Sequence, residues 1–94
     1  MFCGTPSYMA PEIVVKKEYR GSSADIWALG VLLYVVLTGV FPFKGHTDKE
    51  LYQKICSADY PKLTGVSRQS EHLIECMLTV DPDRRITAEQ VRII

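Results

Sequence analysis

The chain has 94 residues, 47% hydrophobic and 23% charged, with eleven basic residues balancing eleven acidic ones. That composition excludes a disordered polypeptide, and the balanced charge offers no basic stripe for nucleic acid and no charged tail. Its length fits one domain or part of one, able to bury roughly 60–70% of its unfolded surface if every piece of a core is present.

The three cysteines, Cys3, Cys56 and Cys76, are odd in number and far apart. Without a C-x-x-C pair they suggest a reducing, cytoplasmic setting rather than a disulfide framework. The longest apolar stretch, Ile26 to Leu37, spans twelve residues, short of the roughly 20 that a membrane helix needs. The N-terminus also lacks the basic-then-apolar order of a secretory signal. The chain therefore reads as soluble, with no membrane partner.

Pro11 suits the first position of a short helix over about residues 11–17, where its missing N–H costs nothing, and the helix dipole favours Glu12 beside it. Ser22 or Ser23 is placed to cap a second helix over about 24–38, with Asp25 in its first turn. This helix is apolar on nearly every face, which marks it as buried, and Gly39 ends it. Thr47 and Glu50 form a capping box for a third helix over 48–57, with Leu51 and Ile55 on one side. Ser67 caps a fourth, where Leu73, Ile74, Met77 and Leu78 recur at helical spacing. Asp81-Pro82-Asp83 is a turn, and Thr87 with Gln90 opens a fifth helix that runs about two turns to Ile94. No strand is expected, so the fold class is all-α.

Four landmarks stand along these elements in a fixed order. They are Gly4-Thr5-x-x-Tyr8-x-Ala10-Pro11-Glu12, Asp25-x-Trp27-x-x-Gly30, Gly39-x-x-Pro42-Phe43 and Asp81-Pro82-x-x-Arg85-x-Thr87. The set resembles the C-terminal portion of the large lobe of a eukaryotic protein kinase, from the A-P-E end of the activation segment to the start of the last helix. The resemblance covers essentially all of residues 1–94. It implies an incomplete kinase domain: the activation-segment end plus about five helices. Thr5-Pro6 before Tyr8 is similar to serine/threonine kinases. Val31 to Val36 and Phe41-Pro42-Phe43 lean toward the calmodulin-dependent and AMP-activated-like group.

On that resemblance, Glu12 of A-P-E forms a buried ion pair with Arg85 of D-P-x-x-R, whose planar fork can hold a carboxylate bidentately. The plain alternative is a dipole-favoured Glu and an unrelated surface Arg. Phe2, Thr5, Pro6 and Met9 belong to the substrate-facing loop: Thr5 matches the hydroxyl beside the catalytic Asp and Lys, and the others either shape an apolar pocket for the substrate's next residue or simply pack the loop. Asp25 reads equally as an acceptor for catalytic-loop N–H groups and as an acid favoured in a first helical turn. Trp27 is core packing beneath A-P-E. Met1 stands where many relatives carry an activating phosphothreonine, and Val35 where many arginine-directed relatives carry a glutamate. Helix 48–57 is either a protein-docking helix or a plain amphipathic surface helix. The histidines, His46 and His72, are taken to lack a partner at metal spacing and to be solvated or capping, so no metal ligand is expected.

Phosphoryl transfer needs a phosphate cradle, a lysine, a base and metal ligands. With glycines at 4, 21, 30, 39, 45 and 65, the chain has no G-x-G-x-x-G, and it also lacks H-R-D-x-x-x-x-N, D-F-G and a V-A-I-K-like strand. The chain is expected to begin past the places those motifs take. ATP and Mg²⁺ are therefore expected for the complete family domain, no cofactor and no catalytic residue for this chain, and a protein substrate or the missing kinase portion as its partner. The alternatives are a kinase-derived protein-binding module without chemistry and a gene remnant without function. In either case the central helix, lacking its usual neighbours, is expected to expose an apolar face.

Overall fold

A computed structural model describes residues 6–15 and 21–93. Within them a 3-10 turn, Pro6–Tyr8, precedes five helices: α1 (Pro11–Val14), α2 (Gly21–Thr38), α3 (Asp48–Ser57), α4 (Arg68–Met77) and α5 (Ala88–Ile93). No strand occurs among the described residues, and the all-α reading holds.

Three helix starts follow directly from side chains that replace missing backbone partners. Thr47 Oγ1 accepts from the Glu50 N–H at 3.1 Å, and Ser67 Oγ accepts from the Ser70 N–H at 3.1 Å. At α5 the box is reciprocal: the Gln90 N–H reaches Thr87 Oγ1, and the Thr87 N–H reaches Gln90 Oε1.

Two boundaries differ from the sequence expectation. The first helix stops at Val14 rather than near 17, with Val15 already at φ −87°, ψ 3°. Two adjacent β-branched residues, Val14 and Val15, make a poor continuation. The second helix includes Gly21, so Ser22 and Ser23 lie inside it rather than capping it. Ser23 instead turns its hydroxyl to the Pro82 carbonyl, 3.2 Å away, a partner 59 residues distant that no local pattern announces.

At 18 residues, α2 is long and apolar enough to cross a membrane by length and composition alone, exceeding the twelve-residue apolar run expected to decide the matter. Its inner face is buried, with Trp27, Val31 and Tyr34 in the core and the helix packed on α4. Its outer face is not: Leu29, Leu32 and Val36 are exposed, Val36 to 71%. The apolar character of the helix leads to burial on its inner side only, and the outer side is bare as expected of a helix without its usual neighbours, since the five helices supply too little surface to cover both.

The core extends from α2 into the loop beyond it. Gly39 (φ +81°) turns the chain out of the helix, with its N–H on the Val35 carbonyl at 2.7 Å. The turn lays Phe43 flat against Trp27, centroids 5.5 Å apart, and Tyr60 meets Phe43 and Tyr34 edge-on. Ile55 of α3 and Ile74 of α4 close the cluster.

Candidate functional site

The most densely bonded group in the structure sits where α1, the start of α2 and the loop before α5 meet. Arg85 and Glu12 are both buried, at 3% and 4% exposure. Arg85 Nη1 donates to Glu12 Oε2 at 2.8 Å and Nη2 to Oε1 at 2.9 Å, a two-pronged contact between planar groups. The remaining N–H groups go to main-chain carbonyls: Nε to Thr79 at 2.8 Å, Nη2 to Val80 at 3.1 Å and Nη1 to Ser23 at 3.0 Å. Desolvating two charges is costly, but here no guanidinium donor is left without an acceptor. The guanidinium carbon also lies 5.1 Å from the Trp27 ring centroid, a cation–π contact on the ring that Phe43 stacks against.

Sequence reasoning brought Glu12 and Arg85 together but missed Ser23, Thr79 and Val80. Thr79 and Val80 act through carbonyls, which carry no side-chain identity, whereas Ser23 adds its hydroxyl, whose Oγ accepts from Arg85 Nη1 at 3.3 Å.

The loop leading to α1 is fixed from the other side. Tyr8 meets Phe41 edge-on at 5.6 Å, Met9 is half-buried and Ala10 fully buried. Pro6 lies in the 3-10 turn, while Phe2 and Thr5 lie outside the described residues. Trp27 is fully buried, and Asp25, in the first turns of α2, is exposed. A cavity of about 360 Å³ opens beside α1, lined by Pro11, Glu12, Val15, Cys56, Val80 and the Asp81-Pro82 turn.

The reading of His72 is corrected. Its Nε2 lies 3.7 Å from Cys76 Sγ, one helical turn on in α4, so it does have a cysteine partner. The i, i+4 spacing that places them side by side was present in the sequence and was overlooked in favour of closer-set patterns.

The family model of the protein kinase domain matches residues 1–93. The chain belongs to the protein kinase family. Its relatives include CBL-interacting serine/threonine-protein kinase 5 of Arabidopsis thaliana, 48% identical over 85 residues (90% of this chain, 19% of that protein). NUAK family SNF1-like kinase 1 of Homo sapiens is 48% identical over 90 residues (96% and 14%). Serine/threonine-protein kinase SRK2F of Arabidopsis thaliana is 40% identical over 94 residues (94% and 27%). The chain thus spans at most about a quarter of the length of these relatives and is a kinase fragment with serine/threonine kinase relatives.

Kinases of this family use ATP and Mg²⁺, and the residues present do not fit that group. The chain has no glycine-rich phosphate loop, no H-R-D and no D-F-G. Among the described residues, no three His, Cys, Asp or Glu side chains converge as a metal cage. No step of phosphoryl transfer is therefore assigned to them.

Proposed function

We propose that the chain is the C-terminal part of a serine/threonine kinase large lobe whose complete form transfers the γ-phosphoryl of ATP to a protein serine or threonine. On this reading its own share is mechanical. Residues Phe2, Thr5, Pro6 and Met9 form the loop that faces the protein substrate, Trp27 and the Glu12–Arg85 pair hold that loop on the helical scaffold, and Asp25 is the scaffold's acceptor for catalytic-loop N–H groups. The observation that carries it is the two-pronged Glu12–Arg85 contact, which ties the A-P-E end of the loop to the D-P-x-x-R turn across 73 residues.

The chain by itself is proposed to be inactive, because the groups that grip phosphate and metal are not among its residues. Calorimetric titration of the 94-residue protein with Mg-ATP should give no binding heat; micromolar binding would overturn the proposal. A cytoplasmic setting belongs to the same proposal, supported by the free thiols of Cys56 and Cys76. So does the absence of nucleic-acid and membrane partners, supported by the zero formal net charge and by the packing of α2 on α4.

A second reading, a non-catalytic module that docks proteins through α3, draws on the open groove around Lys49, Tyr52, Gln53 and Cys56. A cooperative thermal transition of the purified monomer favours the module, and aggregation favours the fragment. A remnant without function would bind neither protein nor nucleotide.

A further inference from the structure

The exposed side of α4 carries two soft donors that the kinase reading does not use. His72 is exposed, Cys76 is half-buried, and Sγ and Nε2 are 3.7 Å apart. A tetrahedral zinc-class ion holding one thiolate at about 2.3 Å and one imidazole at about 2.0–2.1 Å sets those donors roughly 3.6 Å apart. Their separation, that of a hydrogen-bonding contact, matches this donor spacing, so side-chain rotation alone would bring both onto such an ion.

The backbone beneath them is fixed. Ile74 and Met77 bury the opposite side of α4 in the core. The Cys76 carbonyl accepts from the Ile86 N–H at 3.3 Å and from the Thr79 hydroxyl at 3.2 Å, which holds the cysteine end of the helix. Glu71 and Glu75 on the same helix add negative charge around the pair.

We propose that His72 and Cys76 form a two-donor chelate for a zinc-class divalent cation on the surface of α4. Binding replaces the thiol S–H bond with a metal–sulfur bond and releases one proton to solvent; the imidazole binds through neutral Nε2, and water completes the coordination shell. Two protein donors make this an exchangeable surface site rather than a closed structural one.

The test is titration of the metal-free 94-residue protein with Co²⁺, followed by competition with Zn²⁺. Thiolate-to-cobalt absorption should rise to one equivalent and disappear on addition of zinc. Cys76→Ser should abolish it and Cys56→Ser should leave it unchanged. Since partners of metal ligands already change affinity by about 10–100-fold, His72→Gln should weaken binding roughly tenfold or more. Zn²⁺ should also raise the thermal midpoint of the helical circular dichroism signal in the parent chain but not in Cys76→Ser. Absorption that persists in Cys76→Ser, unchanged affinity in His72→Gln, or no thiolate band at millimolar Co²⁺ would each overturn the assignment.

Discussion

At Arg85, one side chain joins three stretches of chain that are remote in sequence. Its removal would strand the Glu12 carboxylate, which is 4% exposed, together with the Thr79, Val80 and Ser23 carbonyls. Arg85→Ala should therefore destabilise the fold by about 3–5 kcal/mol, the usual cost of leaving a buried charge unpaired. The readout is the urea midpoint of the purified chain, and an unchanged midpoint would contradict the account. Arg85→Lys should not restore stability, because a single ammonium cannot bridge both carboxylate oxygens and still reach the carbonyls of the turn after α4. The pairing of Glu12 with Arg85 was legible because both stand in recognisable motifs. The polar cage around them was not, since it is built from main-chain carbonyls and the Ser23 hydroxyl, whose placement only the tertiary fold decides.

Between elements, the closest fit is the contact of α2 with α4. A Cβ built on Gly30 would lie 2.7 Å from Met77 Cβ and 3.1 Å from Leu78 Cδ2, so the two helices meet at a position only hydrogen can occupy. Alanine would gain about 1 kcal/mol of helix propensity there, yet overpacking a rigid contact costs about 1–3 kcal/mol. Gly30→Ala should accordingly lower the thermal midpoint, and a raised midpoint would show that the helices can part freely. The sequence displayed Gly30 only as a letter in a motif, with no sign of what it approaches. The starts of α3, α4 and α5 were legible because the capping residues act within one turn. The end of α3 at Ser57 also matches the expected bound, though no glycine marks it: Ala58 takes the left-handed conformation (φ 51°), held by N–H bonds from Ala58 and Asp59 to the carbonyls of Ile55 and Lys54.

Across the molecule, two core tyrosines tie stability to pH. Burial raises the Tyr34 pKa above its ordinary value. Burial also raises that of Tyr60, with further contributions from Glu75, Tyr34 and Glu71. A raised tyrosine pKa means that the folded chain keeps its proton where the unfolded chain has lost it. The associated stability is complete below about pH 10 and is lost as pH climbs through the raised values. Urea midpoints measured between about pH 8 and pH 11 should fall on the alkaline side, and Tyr60→Phe should flatten that fall. Tyr34→Phe should flatten it too, while costing about 1 kcal/mol at neutral pH for the lost 2.8 Å bond to the Pro61 carbonyl. An alkaline limb that stays as steep as the parent's in both variants would assign the effect elsewhere. The all-helical architecture and the helix order were readable from apolar spacing and caps, and an exposed side of α2 was foreseeable from its missing neighbours, whereas which residues face outward depends on how the other helices pack. The Glu12–Arg85 bond also has a kinetic meaning. Closing a 73-residue loop costs roughly 4 kcal/mol of chain entropy, so this contact is expected to form late in folding, after α2 and α4 have docked. An interaction formed after the folding barrier acts on the rate of escape from the native state. On that expectation the ion pair is a latch: Arg85→Ala should speed unfolding more than it slows refolding.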